Sequence, residues 1–373
     1  QTRSTINAKG SIKKMKAYLK KLKRHLYALL IIPQIILIAS CSNIGSTSRT
    51  IQPYTRDEFV IGTVVQLRIY DSLKPKDAEA ILDNCIKILK EIESKMSVNI
   101  HNSEVSKINQ NAGAKEVQVS EDTFYVIKKG LHYAKISDGL FDISIGPLVK
   151  LWGIGTENAH LPSEEEIKRT LSKVGYKNII VDDQSMTVKL KEAGMSIDLG
   201  GIAKGYAADK LAKYLKSRNI KSAVINLGGN VYALGNNVNS RPWRIGIQNP
   251  FKERNTSAGI VKVSEKTVVT SGIYERYFEE DGKTYHHILD PFTGYPADND
   301  LAGATIICES STDADALSTA VFVKGKDKAA DFIKNLDAVE AVLITKDQKI
   351  YITPGIKDDF ELVDKEFKLD ILR

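Results

Sequence analysis

The chain has 373 residues, with 53 Lys and Arg against 46 Asp and Glu, a formal +7, and is 42% hydrophobic and 27% charged. That composition excludes a disordered, collagenous or disulfide-dense chain, and the length suits one large domain or two moderate ones. The charge is lopsided: residues 1–40 hold nine positives and no Asp or Glu, and +7 less nine is −2 for residues 41–373, so the body lacks the basic surplus of a nucleic-acid binder.

The positives stop at Arg24, and the apolar runs Leu26–Ile32 and Ile35–Ile38 follow. A basic segment, a short apolar segment and small residues form the pattern of a secretory signal peptide. Leu26–Ser40 spans 15 residues and is broken by Pro33-Gln34, short of the ~20 apolar residues a spanning helix wants. Its end, Ile38-Ala39-Ser40-Cys41, resembles a bacterial lipobox, in which cleavage leaves Cys41 as a lipid-bearing N-terminus. Acyl chains there would hold the protein to a membrane at roughly 0.8 kcal/mol per buried methylene. Met15-Lys16 begins a compact basic region, so residues 1–14 read as an upstream extension. Cys85 and Cys308 read as free, buried thiols rather than a disulfide framework.

Residues 42–53 are small and polar, a tether. Alternation from Phe59 to Ile69 predicts a strand. Three- and four-residue spacing of Ala78, Ile81, Leu82, Cys85, Leu89, Ile92 and Met96 predicts a helix over 76–96. A second helix begins at Ser120, and a third at Ser163, where Glu166 completes a capping box. A fourth runs from about Lys204 to Ser217. Strands follow at 222–226, 231–234, 243–248, 259–263, 268–270, 285–289 and 304–308, then helices at 313–323 and 326–336 and strands at 341–345 and 349–352. Strands bunched between helices argue an α+β fold rather than a regular βαβ series. The expected organisation is a signal peptide with its extension over 1–40, a lipidated tether over 41–55, one domain over 56–355 and a charged surface tail over 356–373.

Four stretches are richer in Gly, Asp, Thr and aromatics than a core requires. Ser137–Asp142 leads to Leu151-Trp152-Gly153, where Phe141 or Trp152 would stack on a flat ligand, or serve as packed aromatics beside an Asp-Gly turn. Ser196–Tyr206 hands a strand to a helix through Gly200, Gly201 and Gly205, placing Lys204 and backbone N–H groups where phosphates bind, or making a plain strand–turn–helix. Thr270-Ser271-Gly272 is followed by His286-His287-Ile288-Leu289-Asp290-Pro291. His287 with a nearby Asp suits a general base and its orienting partner, or is an incidental His on a strand before a Pro-Phe-Thr-Gly turn. Two adjacent His on a strand face opposite ways and hardly share one metal. In Asp313–Ala320, Asp315 and Thr319 lie i and i+4 on one helix face, oxygen donors suited to Mg²⁺ bound with substrate phosphates, or simply a solvated face.

Taken in order, these motifs resemble the ApbE family of FAD:protein FMN transferases. The resemblance runs from Phe59 to Thr345 and also includes Gly62-Thr63, Ser103-Glu104 to Asn109, and Asn226-Leu227-Gly228-Gly229. It implies mixed, largely antiparallel sheets flanked by helices, and Mg²⁺-dependent transfer of FMN from FAD to a Thr hydroxyl of an acceptor protein, with release of AMP. Carried over, Asp315, Thr319 and the carbonyl of Gly201 match metal ligands. Ile61, Leu140, Phe141, Asp142, Asp198, Lys204 and Ile288 match flavin-nucleotide contacts, and His287 matches the general base. Ile61 stands where the family has Met, Asn99 where an aromatic is usual, and Gly201 where Ala is common. The implied partners are FAD and an acceptor subunit of a membrane redox complex. The implied location is that of a membrane-anchored lipoprotein exported across the cytoplasmic membrane and facing the periplasm, held to the inner or the outer membrane by the lipid on Cys41. The rival expectations are an FAD pyrophosphatase giving FMN and AMP, and a non-catalytic FAD-binding lipoprotein.

Overall fold

The computed structural model describes residues 52–372; the signal segment and Cys41 lie outside the described residues. The hairpin β1 (Tyr54–Val60) and β2 (Thr63–Ile69) leads to α1 (Pro75–Met96), α2 (Glu104–Gln110), β3 (Val117–Gln118) and α3 (Glu121–Ile136). Next come α4 (Gly146–Trp152), α5 (Glu164–Leu171), β4 (Ile179–Asp182), β5 (Thr187–Leu190) and α6 (Ala203–Ser217). A run of strands follows: β6 (Ser222–Leu227), β7 (Asn230–Gly235), β8 (Trp243–Gln248), β9 (Ser257–Val263), β10 (Lys266–Gly272), β11 (Tyr277–Glu280), β12 (Lys283–His286) and β13 (Leu301–Cys308). The chain ends with α7 (Ser311–Lys324), α8 (Lys326–Lys334), β14 (Glu340–Thr345), β15 (Lys349–Ile352), β16 (Phe360–Leu362) and β17 (Lys368–Ile371).

Nine strands form one sheet in the order β1-β2-β6-β7-β10-β13-β14-β15-β17. Every pairing in it is antiparallel except β15 with β17. β13 lies inside this sheet and is buried at all eight positions, as its unbroken run of small and apolar residues requires. One sheet face packs under α1, α6 and α7 in the main core. The other carries Val268, Ile307 and Ile350 against the small sheet β16-β9-β8. The α+β arrangement is the expected one.

α7 has no polar face. Eleven of its fourteen residues are buried, among them Asp315 at 4% exposure, so the Asp315 side of the helix is not a solvated face. Asp209 of α6 reaches across to its N-terminus and accepts from Ser311 N (2.8 Å), Thr312 N (2.8 Å) and Thr312 Oγ1 (2.6 Å). That carboxylate satisfies amides the helix cannot pair internally and places negative charge at the positive end of the helix dipole.

Residues 356–373 were expected as a surface tail, and the structure differs. Phe360 and Phe367 are buried in the second core, β16 pairs with β9, and β17 closes the edge of the large sheet. Apolar residues spaced through a charged segment anchor it, while most of its charged side chains face solvent and Asp364 is held by Asn249 and Lys252.

Candidate active site

The stretch Ser196–Lys204 runs beside Ile143–Ile145. Ile145 and Ser196 form a parallel bridge, and Asp198 N donates to Ile143 O at 2.8 Å. Asn109 holds this stretch with both ends of its amide, donating to Ile197 O (3.0 Å) and accepting from Ile197 N (2.7 Å). Ser103 caps α2 through Ser106 N, and Glu104 accepts from Ser120 N (3.2 Å) and Ser120 Oγ (2.9 Å). The Ser103-Glu104 to Asn109 motif is thus scaffold for the site.

The chain then turns through Leu199-Gly200-Gly201 into α6. Gly205, third residue of that helix, approaches α7 so closely that a Cβ would sit 2.1 Å from Ser311 O. Its free first-turn N–H donates to Asp315 Oδ2 at 2.9 Å. The other oxygen, Oδ1, faces the Lys204 ammonium at 3.7 Å, while Lys204 Nζ donates to Gly200 O at 3.0 Å. One helical turn after Asp315, Thr319 Oγ1 lies 3.3 Å from Ser271 Oγ, which also contacts Ser318 Oγ at 2.9 Å. A Cβ built on Gly201 would stand 3.8 Å from Thr319 Oγ1 and 3.1 Å from Phe141. Asp315, Thr319, Gly201 and Lys204 are therefore brought together. Ser271 joins them, a hydroxyl whose position in the Thr-Ser-Gly motif was the available sequence signal.

The donors gathered here are oxygens: a carboxylate, hydroxyls and backbone carbonyls. That set suits a hard cation such as Mg²⁺ completing its shell with substrate phosphates, and the ammonium beside Asp315 shows that the spot attracts positive charge.

His287 follows β12. Its Nδ1 meets Arg276 O at 3.2 Å, so Nδ1 carries the proton and Nε2 keeps the lone pair. The partner expected from sequence was an Asp. Asp290 instead accepts from Phe292 N (2.8 Å) and Thr293 N (3.4 Å) and folds the following turn. Burial holds the His287 pKa down to about 3, helped by the Arg276 guanidinium and, more weakly, by Lys204. The imidazole is neutral at physiological pH, with the lone pair on Nε2 free. His286, the last residue of β12, packs instead against Phe322, with Nε2 3.1 Å from Ala297 O.

Of the two readings of Phe141 and Trp152, the structure bears out packed aromatics rather than a stacking platform. Trp152 is wholly buried, its indole N–H donating to Gly294 O at 2.8 Å among Phe278, Tyr285 and Tyr295, and Phe141 is 5% exposed. Asp142 is likewise engaged: Oδ1 accepts from Ser144 N and Ser144 Oγ (both 2.7 Å), and Oδ2 from Tyr176 N (2.8 Å). Burial raises its pKa against those three hydrogen bonds. Asp198 Oδ1 accepts from Gly200 N at 2.7 Å and shapes the glycine turn. Leu140 is half-buried. Ile61 is half-buried at the β1–β2 turn with φ 50°, strained for a β-branched residue. Ile288 is buried in the main core, its carbonyl accepting from Ala297 N at 2.9 Å.

A buried carboxylate at a helix N-terminus, an ammonium, clustered hydroxyls and a neutral imidazole define a site for phosphoryl-group chemistry on an α+β frame. The chain belongs to the ApbE family, whose model matches residues 61–343. It is 35% identical over 349 residues to the FAD:protein FMN transferase of Treponema pallidum, covering 90% of this chain and 96% of that protein. It is also 35% identical to that of Klebsiella pneumoniae, over 85% and 96% of the two chains. Among solved structures, the ApbE protein of Thermotoga maritima superposes with a TM-score of 0.76 at 37% identity, covering 83% of this chain and 99% of that one. The flavin transferase ApbE of Vibrio cholerae superposes with a TM-score of 0.75 at 27% identity and the same coverage.

Proposed function

We propose that this chain transfers the FMN moiety of FAD to a Thr hydroxyl of an acceptor protein and releases AMP. Relatives matched over nearly their whole length are named FAD:protein FMN transferases. The observation that carries the reading for this chain is the junction of α6 and α7, where Asp315, Thr319, Lys204 and the Gly200-Gly201 turn meet beside a histidine held neutral.

In this reading Asp315, Thr319 and the Gly201 carbonyl hold Mg²⁺, which when bound would offset charge on the pyrophosphate. Lys204 and the first-turn amides of α6 orient the phosphates of FAD. His287 Nε2 accepts the proton of the attacking Thr hydroxyl, with Nδ1–H held by the Arg276 carbonyl. The new bond joins that oxygen to the FMN phosphorus, and the bond to the bridging oxygen breaks, so AMP departs with it. Asp142, Asp198 and Phe141 act by fixing the loops that Leu140, Ile61 and Ile288 complete around the nucleotide.

The proposal extends to residues outside those described: a signal peptide ending before Cys41, lipidation of Cys41, and a periplasm-facing catalyst serving a membrane redox subunit. Incubation with FAD, Mg²⁺ and an acceptor domain, followed by intact mass, tests the activity. A covalent FMN adduct with stoichiometric AMP is expected. FMN and AMP without adduct would make the chain a pyrophosphatase, and FAD binding without AMP a carrier.

A further inference from the structure

The motif Asn226-Leu227-Gly228-Gly229-Asn230 forms the β6–β7 turn, with Gly228 and Gly229 at φ 63° and 100°. A Cβ on Gly228 would lie 2.0 Å from Thr63 Oγ1, so the turn is pressed against the β1–β2 hairpin. Its two asparagines behave differently. Asn226 is spent on the turn itself, accepting from Gly229 N at 2.9 Å and donating to Gln66 at 3.2 Å. Asn230 is 3% exposed, and its buried Nδ2 has no hydrogen-bond partner among the described residues.

The sheet register says where that amide sits. β7 and β10 pair with Val231 opposite Val268, and one step further along the ladder Asn230 is level with Val269, two residues from Ser271. Asn230 alternates with Tyr232 and Leu234, which lie in the core under the helices, and Ser271 projects to that same face to meet Ser318 and Thr319. The orphan donor is therefore a diagonal neighbour of the Ser271–Thr319 cluster, about 7–8 Å away along the sheet. A buried N–H without a partner has given up water for nothing, and native proteins tolerate few of them. One such group beside a nucleotide site is explained when the ligand supplies the acceptor.

We propose that the Asn230 carboxamide is a binding donor to an acceptor oxygen of the dinucleotide held at Ser271 and Thr319, made only when the ligand is in place. This rests on the FAD reading above. The full chain and its Asn230→Ala and Asn230→Leu variants, titrated with FAD, FMN and AMP separately and melted without ligand, test it. FAD affinity should fall about tenfold while the ligand-free melting temperature holds or rises, and the fragment that shares the loss identifies the half of FAD contacted. FAD affinity within twofold of wild type in both variants overturns the proposal. So does loss of the ligand-free fold in both, which assigns the amide a structural partner such as an internal water. A wild-type chain that binds no FAD overturns the site reading itself, a result distinct from either.

Discussion

Two polar regions of this molecule look alike in sequence and differ in what their atoms do. Around Asp142, Glu104 and Asn109, carboxylate and amide groups are paired inside the chain: Asp142 with Ser144 and Tyr176, Glu104 with Ser120, Asn109 with Ile197. At the α6–α7 junction and on the strands around it the pairing is incomplete. Asp315 Oδ1 faces an ammonium at 3.7 Å, His287 after β12 keeps a lone pair on Nε2, and Asn230 Nδ2 at the β6–β7 turn has no partner among the described residues. Closed networks hold loops, whereas open ones wait for a ligand, and hydrogen-bond accounting separates them where residue type does not.

The sharpest way to break that comparison is Asp315→Asn. It keeps an acceptor for Gly205 N and removes the charge. Mg²⁺-dependent AMP release from FAD should drop at least about a hundredfold, with the thermal midpoint nearly unchanged. Undiminished release would place Asp315 with the scaffold. Asp142→Ala is the opposite case. It strands the amides of Ser144 and Tyr176 and should lower stability by about 2–4 kcal/mol in denaturant unfolding. Among molecules that remain folded, FAD affinity should change little; a large loss of affinity at unchanged stability would move Asp142 into the open group.

Much of the site was legible because it is local. Asp315 and Thr319 are four residues apart on a helix, and Gly200-Gly201 followed by Lys204 marks a strand passing into a helix N-terminus. What joins those pieces is not local. Asp209 caps a helix 102 residues away, Asn109 grips a peptide 88 residues on, and the His287 partner is a backbone carbonyl, which no side-chain pattern announces. For Phe141 and Trp152 the sequence leaves stacking and packing open, because aromatics near glycines serve both, and burial decides for packing. In the fold, long periodic helices were evident. α4 was hidden by its Gly146-Pro147 start, although Pro suits a first turn. The sheet of β3, β5 and β4 was hidden because its strands are only two to four residues long.

Acid should expose a smaller difference. Burial lowers the His286 pKa to about 4 and that of His287 to about 3, against ~6.5 when unfolded. Between those values the unfolded chain binds protons and the folded chain does not, so stability falls as pH drops below about 6.5. The slope is on the order of 1 kcal/mol per pH unit for the buried His286. The difference between urea midpoints at pH 7 and pH 5 should shrink by about half in His286→Gln, His287 supplying the remainder. AMP release should hold level across the same window, because His287 stays neutral throughout it; a decline with an apparent pKa near 6.5 would contradict the lowered pKa of that ring.

The smallest effect expected is at Gly201, where the two regions touch. A methyl there points at Phe141, 3.1 Å away on the closed side, and stands 3.8 Å from Thr319 on the open side. Phe141 must yield a few tenths of an ångström while the Gly201 carbonyl stays where it is. Gly201→Ala should therefore change stability by under about 1 kcal/mol and AMP release by no more than about threefold. A large loss of release at unchanged stability would mean that the methyl intrudes on the ligand, and that the boundary between scaffold and site runs through Phe141 rather than beside it.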